Sequence, residues 1–322
     1  MTSLVETLAP AVTSALTGIG VGPDGLEAAV YGEPVSAESP YELARKLGSV
    51  LYEMVHVGRN KPTATRPRTL RDTAFDERLA AALPHTTTRT NVEVLRKTDK
   101  QTYLVSIDGL RVLLPAGALA SEVSGELPRT AVARMPAARP ALSPGFFLVD
   151  GTHGMGVGPQ TLRLYVHLAA ADAAPAIWHT LLSYLEEHEL PYRAKICSAP
   201  KTYPRRDALV LYLRSQVWPA VQGIASAVAG MDGIGDSTSP FTHSIAPGVG
   251  LAWEPNDRRP GMNALSFGEH RCVATAEGLV KHAVRTDGVS LLETVAESFI
   301  DANIDPLAPA RNLDSPIIAA LG

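Results

Sequence analysis

The chain has only two cysteines in 322 residues, Cys197 and Cys272, far apart and without metal-ligand spacing. So few thiols argue against a disulfide scaffold and a structural zinc site, and point to a reducing compartment. Charge is also sparse: 19% of residues are Asp, Glu, Lys or Arg, and the formal net charge is −4. A nucleic-acid protein usually carries a strong positive surplus over a whole domain, so that class is set aside. No stretch approaches the ~20 uncharged apolar residues of a membrane span. The start, MTSLVETLAPAVTSAL, lacks the basic and uninterrupted apolar segments of a secretory signal. The expectation is a cytoplasmic protein that engages no membrane and no nucleic acid. No Walker lysine follows the glycines of GTHGMGVG, which read as a hinge or hairpin connection. No carboxylate pair for metal ions is evident, and Arg205 stands too far from Cys197 for a Cys-x5-Arg phosphatase loop.

The hydrophobic share of 45% is enough for a sizeable core, and the length allows two. Residues 41–57 place Leu43, Leu47, Leu51 and Met54 at helical spacing between Pro40 and Gly58, which predicts a helix. Residues 59–71 are basic and polar and read as an exposed loop; Arg59, Lys61, Arg66, Arg68 and Arg71 could meet an acidic peptide. Alternation over 91–115 suggests a small antiparallel meander. The proline-rich run 121–144 reads as a linker. Beyond it, strands at 146–149, 162–168, 192–198 and 206–213 and helices at 173–188 and 217–229 predict a mixed sheet with packed helices. The expected division is an N-terminal helical and meander domain over 1–120, the linker, and an α+β domain over 145–322.

Side chains alternate across a strand, so LRLYVHL turns Arg163, Tyr165 and His167 to one face. The same rule aligns Arg193, Lys195 and Cys197, and then Arg206, Ala208, Val210 and Tyr212. These faces could simply be solvent-exposed. Against that, residues 191–214 hold six cations, Arg193, Lys195, Lys201, Arg205, Arg206 and Arg214, with Asp207 as the sole carboxylate. Arginine forks match phosphate oxygens, and a lysine set among them can serve as an amine base. The cluster therefore predicts an anionic substrate group, with a phosphate as the expected ligand. Downstream, Arg271 and His270 stand where a helix begins, a further favourable anion position.

RLYVH, PYRAKICSAPKTYPRRDALVLYL, FTHSIAPGVGLAWEP and SFGEHRC together resemble the Hop-A family of type III effectors and its actinobacterial relatives, with a weaker echo in LYEMVHVG. Those relatives are encoded beside ribosomal peptide pathways, including class five lanthipeptides and thioamitides, and are similar in turn to phosphothreonine lyases. The resemblance implies a lyase-like fold and β-elimination of phosphate from a phosphorylated Ser or Thr, giving dehydroalanine or dehydrobutyrine. It implies Lys195 as general base, with Arg206 or Arg205, Tyr212 and Arg271 as phosphate ligands; Lys201 and Arg163 join the phosphate-binding set.

The first strand admits two registers. In one, Tyr165 takes the place of the family's lysine and His167 is the acid; in the other, Arg163 and Tyr165 take the two places and His167 falls outside. The first is preferred because a histidine titrates near neutrality. The implied chemistry needs neither metal nor redox cofactor. It does need a separate kinase and a precursor peptide whose leader would be bound by the N-terminal part. A non-catalytic protein of the same fold, binding a phosphopeptide as a scaffold, is the alternative.

Overall fold

The computed structural model of the chain describes residues 7–62, 72–98, 101–121 and 125–318. A short helix α1 (Pro10–Leu16) leads into a three-stranded meander, β1 (Ile19–Val21), β2 (Glu27–Val30) and β3 (Glu33–Ser36), and then α2 (Pro40–Leu51). Ser39 caps α2 by accepting the Glu42 N–H at 3.2 Å, and Pro40 occupies the first turn, where its missing donor leaves nothing unpaired. The helical spacing over 41–57 holds, with Leu43, Leu47, Leu51 and Met54 buried. Its last turn, Tyr52–His56, widens into a π-helix, a form often found at functional sites.

After α3 (Thr73–Ala81), four antiparallel strands form a small sheet: β4 (Thr87–Lys97), β5 (Thr102–Ile107), β6 (Leu110–Pro115) and β7 (Arg129–Pro136). Their order is β6-β5-β4-β7, and the expected meander supplies the first three. Val92, Val94, Tyr103, Val105 and Leu114 alternate inward to give this sheet its own small core.

The main sheet has seven strands: β8 (Ala138–Ser143), β9 (Phe146–Asp150), β10 (Leu162–Leu168), β11 (Arg193–Cys197), β12 (Arg205–Leu213), β13 (His243–Ala246) and β14 (Val249–Trp253). Between and after them come α4 (Ala174–Glu187), α5 (Val221–Val228), α6 (Phe267–Val284) and α7 (Leu291–Asp301). Ser266 with Glu269, and Ser290 with Glu293, form reciprocal capping boxes that start α6 and α7. The strand order is β13-β14-β10-β12-β11-β9-β8. The α+β class is as expected, while the sheet expected to be mixed is antiparallel at every pairing. The glycine loop after β9 is neither hinge nor hairpin but a crossover, because β11 and β12 separate β9 from β10.

Both faces of this sheet are buried. Leu164, Val166, Leu209 and Leu211 pack with Trp178 and Leu181 of α4 and Ile224 of α5. On the other face Tyr165, Val210 and Ala252 pack with Leu47 of α2, Phe267 of α6 and Val295 of α7. The N-terminal residues thus share a core with the C-terminal helices, and the expected separate domain over 1–120 is not what forms. Burying the α2 stripe against α6 stabilises more than α2 alone could gain, at about 1.5–3 kcal/mol per fully buried Leu. The expected linker over 121–144 is corrected too, since β7 and β8 lie within it and β8 is the edge of the main sheet. Its prolines suit that place, because an edge strand does not need every N–H. Among the described residues no helix is long and apolar enough to cross a membrane.

Candidate active site

Register places the predicted strand residues in rows. Arg163 pairs with Tyr212, which pairs with Arg193; Tyr165 pairs with Val210, which pairs with Lys195. Tyr212 therefore stands between β10 and β11, and its ring serves two cations. Arg163 Cζ lies 5.0 Å from the ring centre, and Lys195 Nζ 5.9 Å. Phe146, at the start of β9, does the same for Lys195 at 4.3 Å and for Arg205 Cζ at 5.5 Å. Each such contact contributes about 0.5–2 kcal/mol and fixes the cation over a ring face.

These groups line a cavity of about 600 Å³ with Tyr52, Glu53, Arg59, Glu254 and Glu269. Every arginine in it is engaged: Arg163 donates through Nε and Nη2 to Glu254, Arg59 pairs with Glu53 at 3.0 Å, and Arg205 pairs with Asp207 at 2.8 Å. Lys195 is half-buried, and among the described residues its amine makes no hydrogen bond or ion pair.

Beneath the arginines lies a buried network. Asp207 accepts from Arg205 Nη2 and Tyr52 Oη, both at 3.0 Å, and Arg205 Nη2 also donates to Tyr52 Oη at 3.2 Å. Burial alone would raise the Asp207 carboxyl, but Arg205, with help from His56 and Tyr52, holds it well below the usual carboxylate range. His56 stands 4.0 Å from Asp207 through Nε2 and shares a 2.8 Å hydrogen bond with Ser239 through Nδ1. Burial drives its pKa down to about 4, so the ring is neutral at pH 7. Gly268 of α6 makes room for it, since a Cβ there would stand 2.2 Å from the His56 ring.

Lys195, Arg163 and Tyr212 thus meet in one cavity, as the strand faces predict, and Arg205 joins them. Other expected residues lie elsewhere. A register shift between Val166 and Leu168 interrupts the β10–β12 pairing at the start of β12, and Arg205, not Arg206, enters the cavity. Arg206 instead donates to Val55 O at 2.9 Å and Ser237 Oγ at 3.1 Å. His167, expected as the acid, lies within the same shift, with Nδ1 at 2.9 Å from Ser237 O and outside the cavity lining. Neither of the two residues expected as acid, His167 or Tyr165, is among those that line the cavity. Tyr165 sits buried under the floor, with Arg163 Nη1 at 3.4 Å from its hydroxyl and its pKa raised by burial.

Arg271 is fully buried and braces the C-terminal segment, donating to Pro309 O and Asn312 Oδ1, both at 2.9 Å. It is not a free phosphate ligand; burial lowers its pKa to about 9. His270 accepts from Arg271 and pairs with Asp257 at 2.9 Å. Lys201 is exposed and lines no part of the cavity. Of the six cations over 191–214, Arg193 meets a carboxylate distant in sequence, Asp150 at 2.6 Å, Arg205 pairs with nearby Asp207, and Arg214 donates to the Gly158 carbonyl at 2.7 Å. In the basic loop, Arg59 and Lys61 pair with Glu53 and Glu33. Arg66, Arg68 and Arg71 lie outside the described residues.

Sequence reasoning missed Phe146, Glu254 and the role of Asp207, which carry no distinctive spacing. Tyr52, Glu53 and His56 had a signal in LYEMVHVG. No curated protein matches the chain. Among solved structures it is similar to the effector protein from Pseudomonas syringae pv. tomato strain DC3000, at 12% identity and a TM-score of 0.45 over 84% of this chain and 95% of that one. The effector protein from Pseudomonas syringae pv. syringae strain 61 is similar at 10% identity and a TM-score of 0.44, over 81% and 88%. Residues 137–311, more than half of the 322, match the profile of the HopA1 effector protein family, and the chain belongs to that family.

Proposed function

We propose that the protein is a phosphoserine or phosphothreonine lyase that eliminates phosphate from a kinase-phosphorylated precursor peptide in a ribosomal peptide pathway. The observation that carries this reading is Lys195, the one cation of the cavity's described lining without a carboxylate or hydrogen-bond partner, flanked by Arg163 and Arg205. In this reaction the Lys195 amine takes the α-proton of the phosphorylated residue. The Cα–H pair becomes the Cα–Cβ double bond, and the Cβ–O bond breaks with its electrons leaving on phosphate. Arg163, Arg205 and the Tyr212 hydroxyl hold the departing oxygens, where guanidinium donors are strongest. The products are dehydroalanine or dehydrobutyrine and inorganic phosphate. The partners so proposed are the precursor peptide and the kinase that phosphorylates it.

Mass spectrometry of a phosphorylated peptide after incubation tests the reading. Loss of phosphate leaving an unsaturated residue supports elimination, and loss restoring the hydroxyl means hydrolysis. Lys195→Ala should lower elimination by about 10²–10⁴-fold, the usual weight of a general base, while peptide binding persists. Undiminished elimination in that variant would remove Lys195 from its role. A second reading, a non-catalytic phosphopeptide scaffold, is favoured by the carboxylates on Arg163 and Arg205, which already partly satisfy both forks. Binding with no mass change in any peptide would establish it.

A further inference from the structure

Arg205 and Arg206 are neighbours in sequence but enter different cavities. The second cavity, about 900 Å³, lies across the π-helical turn: Tyr52 and Glu53 line the first, Met54 and Val55 the second. No Asp or Glu is among its described lining residues. Arg206 is half-buried there and, among the described residues, has no carboxylate partner; its two side-chain hydrogen bonds go to Val55 O and Ser237 Oγ, leaving Nη2 without one. Gly58, at φ +88°, lets the guanidinium lie against the chain, since a Cβ would stand 2.8 Å from Nε. Ser14, Thr238, Ser244 and His243 add polar side chains to the walls. Burial lowers the Arg206 pKa, with only the Tyr31 phenol acting against it. A guanidinium desolvated without a counter-charge is costly, and a bound oxyanion removes that cost.

We propose that this cavity is a phosphate-binding site centred on Arg206, separate from the Lys195 cavity. Its ligand is a phosphate group, carried either on a second phosphorylated residue of a peptide or as free inorganic phosphate. The site does not depend on the elimination reading, because it uses none of the same side chains for chemistry.

Calorimetric titration of the full chain with inorganic phosphate, in a Lys195→Ala background that weakens the first cavity, tests it. Adding Arg206→Gln should weaken binding about tenfold or more, the weight of a charged hydrogen bond, and Arg206→Lys should restore part of it. Equal binding with and without Arg206→Gln overturns the proposal. Should Arg206→Gln fail to fold, wild-type crystals soaked in selenate decide: an anomalous peak beside the Arg206 guanidinium supports the site, and its absence overturns it. The source is read with peptides carrying one or two phosphoserines. Tighter binding of the second peptide that depends on Arg206 assigns the peptide; equal binding, with inorganic phosphate still dependent on Arg206, assigns the free ion. Loss of elimination in Lys195→Ala with phosphate binding retained separates the two sites.

Discussion

The Lys195 and Arg206 cavities stand back to back across the π-helical turn Tyr52–His56 and balance charge in opposite ways. In the first, Glu254 and Asp207 already hold the arginines, so the group left without a partner among the described residues is the Lys195 amine, the base of the proposed elimination. In the second the unpaired group is a guanidinium, which keeps its proton and can only bind. One kind of charge can thus serve chemistry or recognition, according to whether tertiary contacts supply a counter-charge.

The contrast breaks first at Asp207, which is buried and paired with the mostly buried Arg205. Asp207→Asn leaves a buried cation without its counter-charge and should cost about 3–5 kcal/mol in urea unfolding. The opposing change, Arg206→Gln, removes a cation with no carboxylate partner and should cost far less. A comparable loss from both would mean that the cavities are not electrically distinct.

His56 touches both sides, through Asp207 and Ser239, and yields a pH test. Its folded pKa of about 4 lies below the ordinary 6.5, so between those values the unfolded chain binds the proton more tightly. Stability is therefore full above about pH 6.5 and falls as pH drops to about 4; His270 acts with the same sign in the same window. Each can contribute up to about 1.4 kcal/mol per pH unit. His56→Gln should flatten the slope between pH 4 and 6.5 in chemical-unfolding series, and an unchanged slope would show that the ring is not buried as a neutral group.

A smaller effect is expected at Glu254. Glu254→Gln frees the Arg163 fork and should tighten inorganic phosphate binding in the first cavity several-fold by calorimetry, making it resemble the second. Smallest of all is Lys201→Ala, which should change peptide affinity and elimination less than twofold, since this exposed lysine lines neither cavity. A larger change would restore it to the phosphate set.

Much of the main sheet was legible because apolar alternation and capping signals are local. Arg163, Lys195 and Tyr212 share a face for the same reason, and register alone then sets them side by side. Alternation misled at Arg206 and His167, where a register shift changes which side chain enters the cavity. Arg271 looked like an anion ligand at a helix start, yet its helix begins against Pro309 and Asn312, which consume its donors. The prolines of 121–144 suggested a linker because proline discourages internal strands, and a sheet edge is the place where that rule relaxes.

The sequence by itself determined an α+β chain, most of its sheet strands, and a cluster of cations on facing strands. Only the tertiary structure decided which cations are offset. Asp150 and Glu254 lie 43 and 91 residues from Arg193 and Arg163, the cations they meet, and the two arginines at 205 and 206 diverge by a local break in pairing. The physical reason is that backbone periodicity is encoded within a few residues, whereas the charge state and reach of a side chain depend on what folding packs against it.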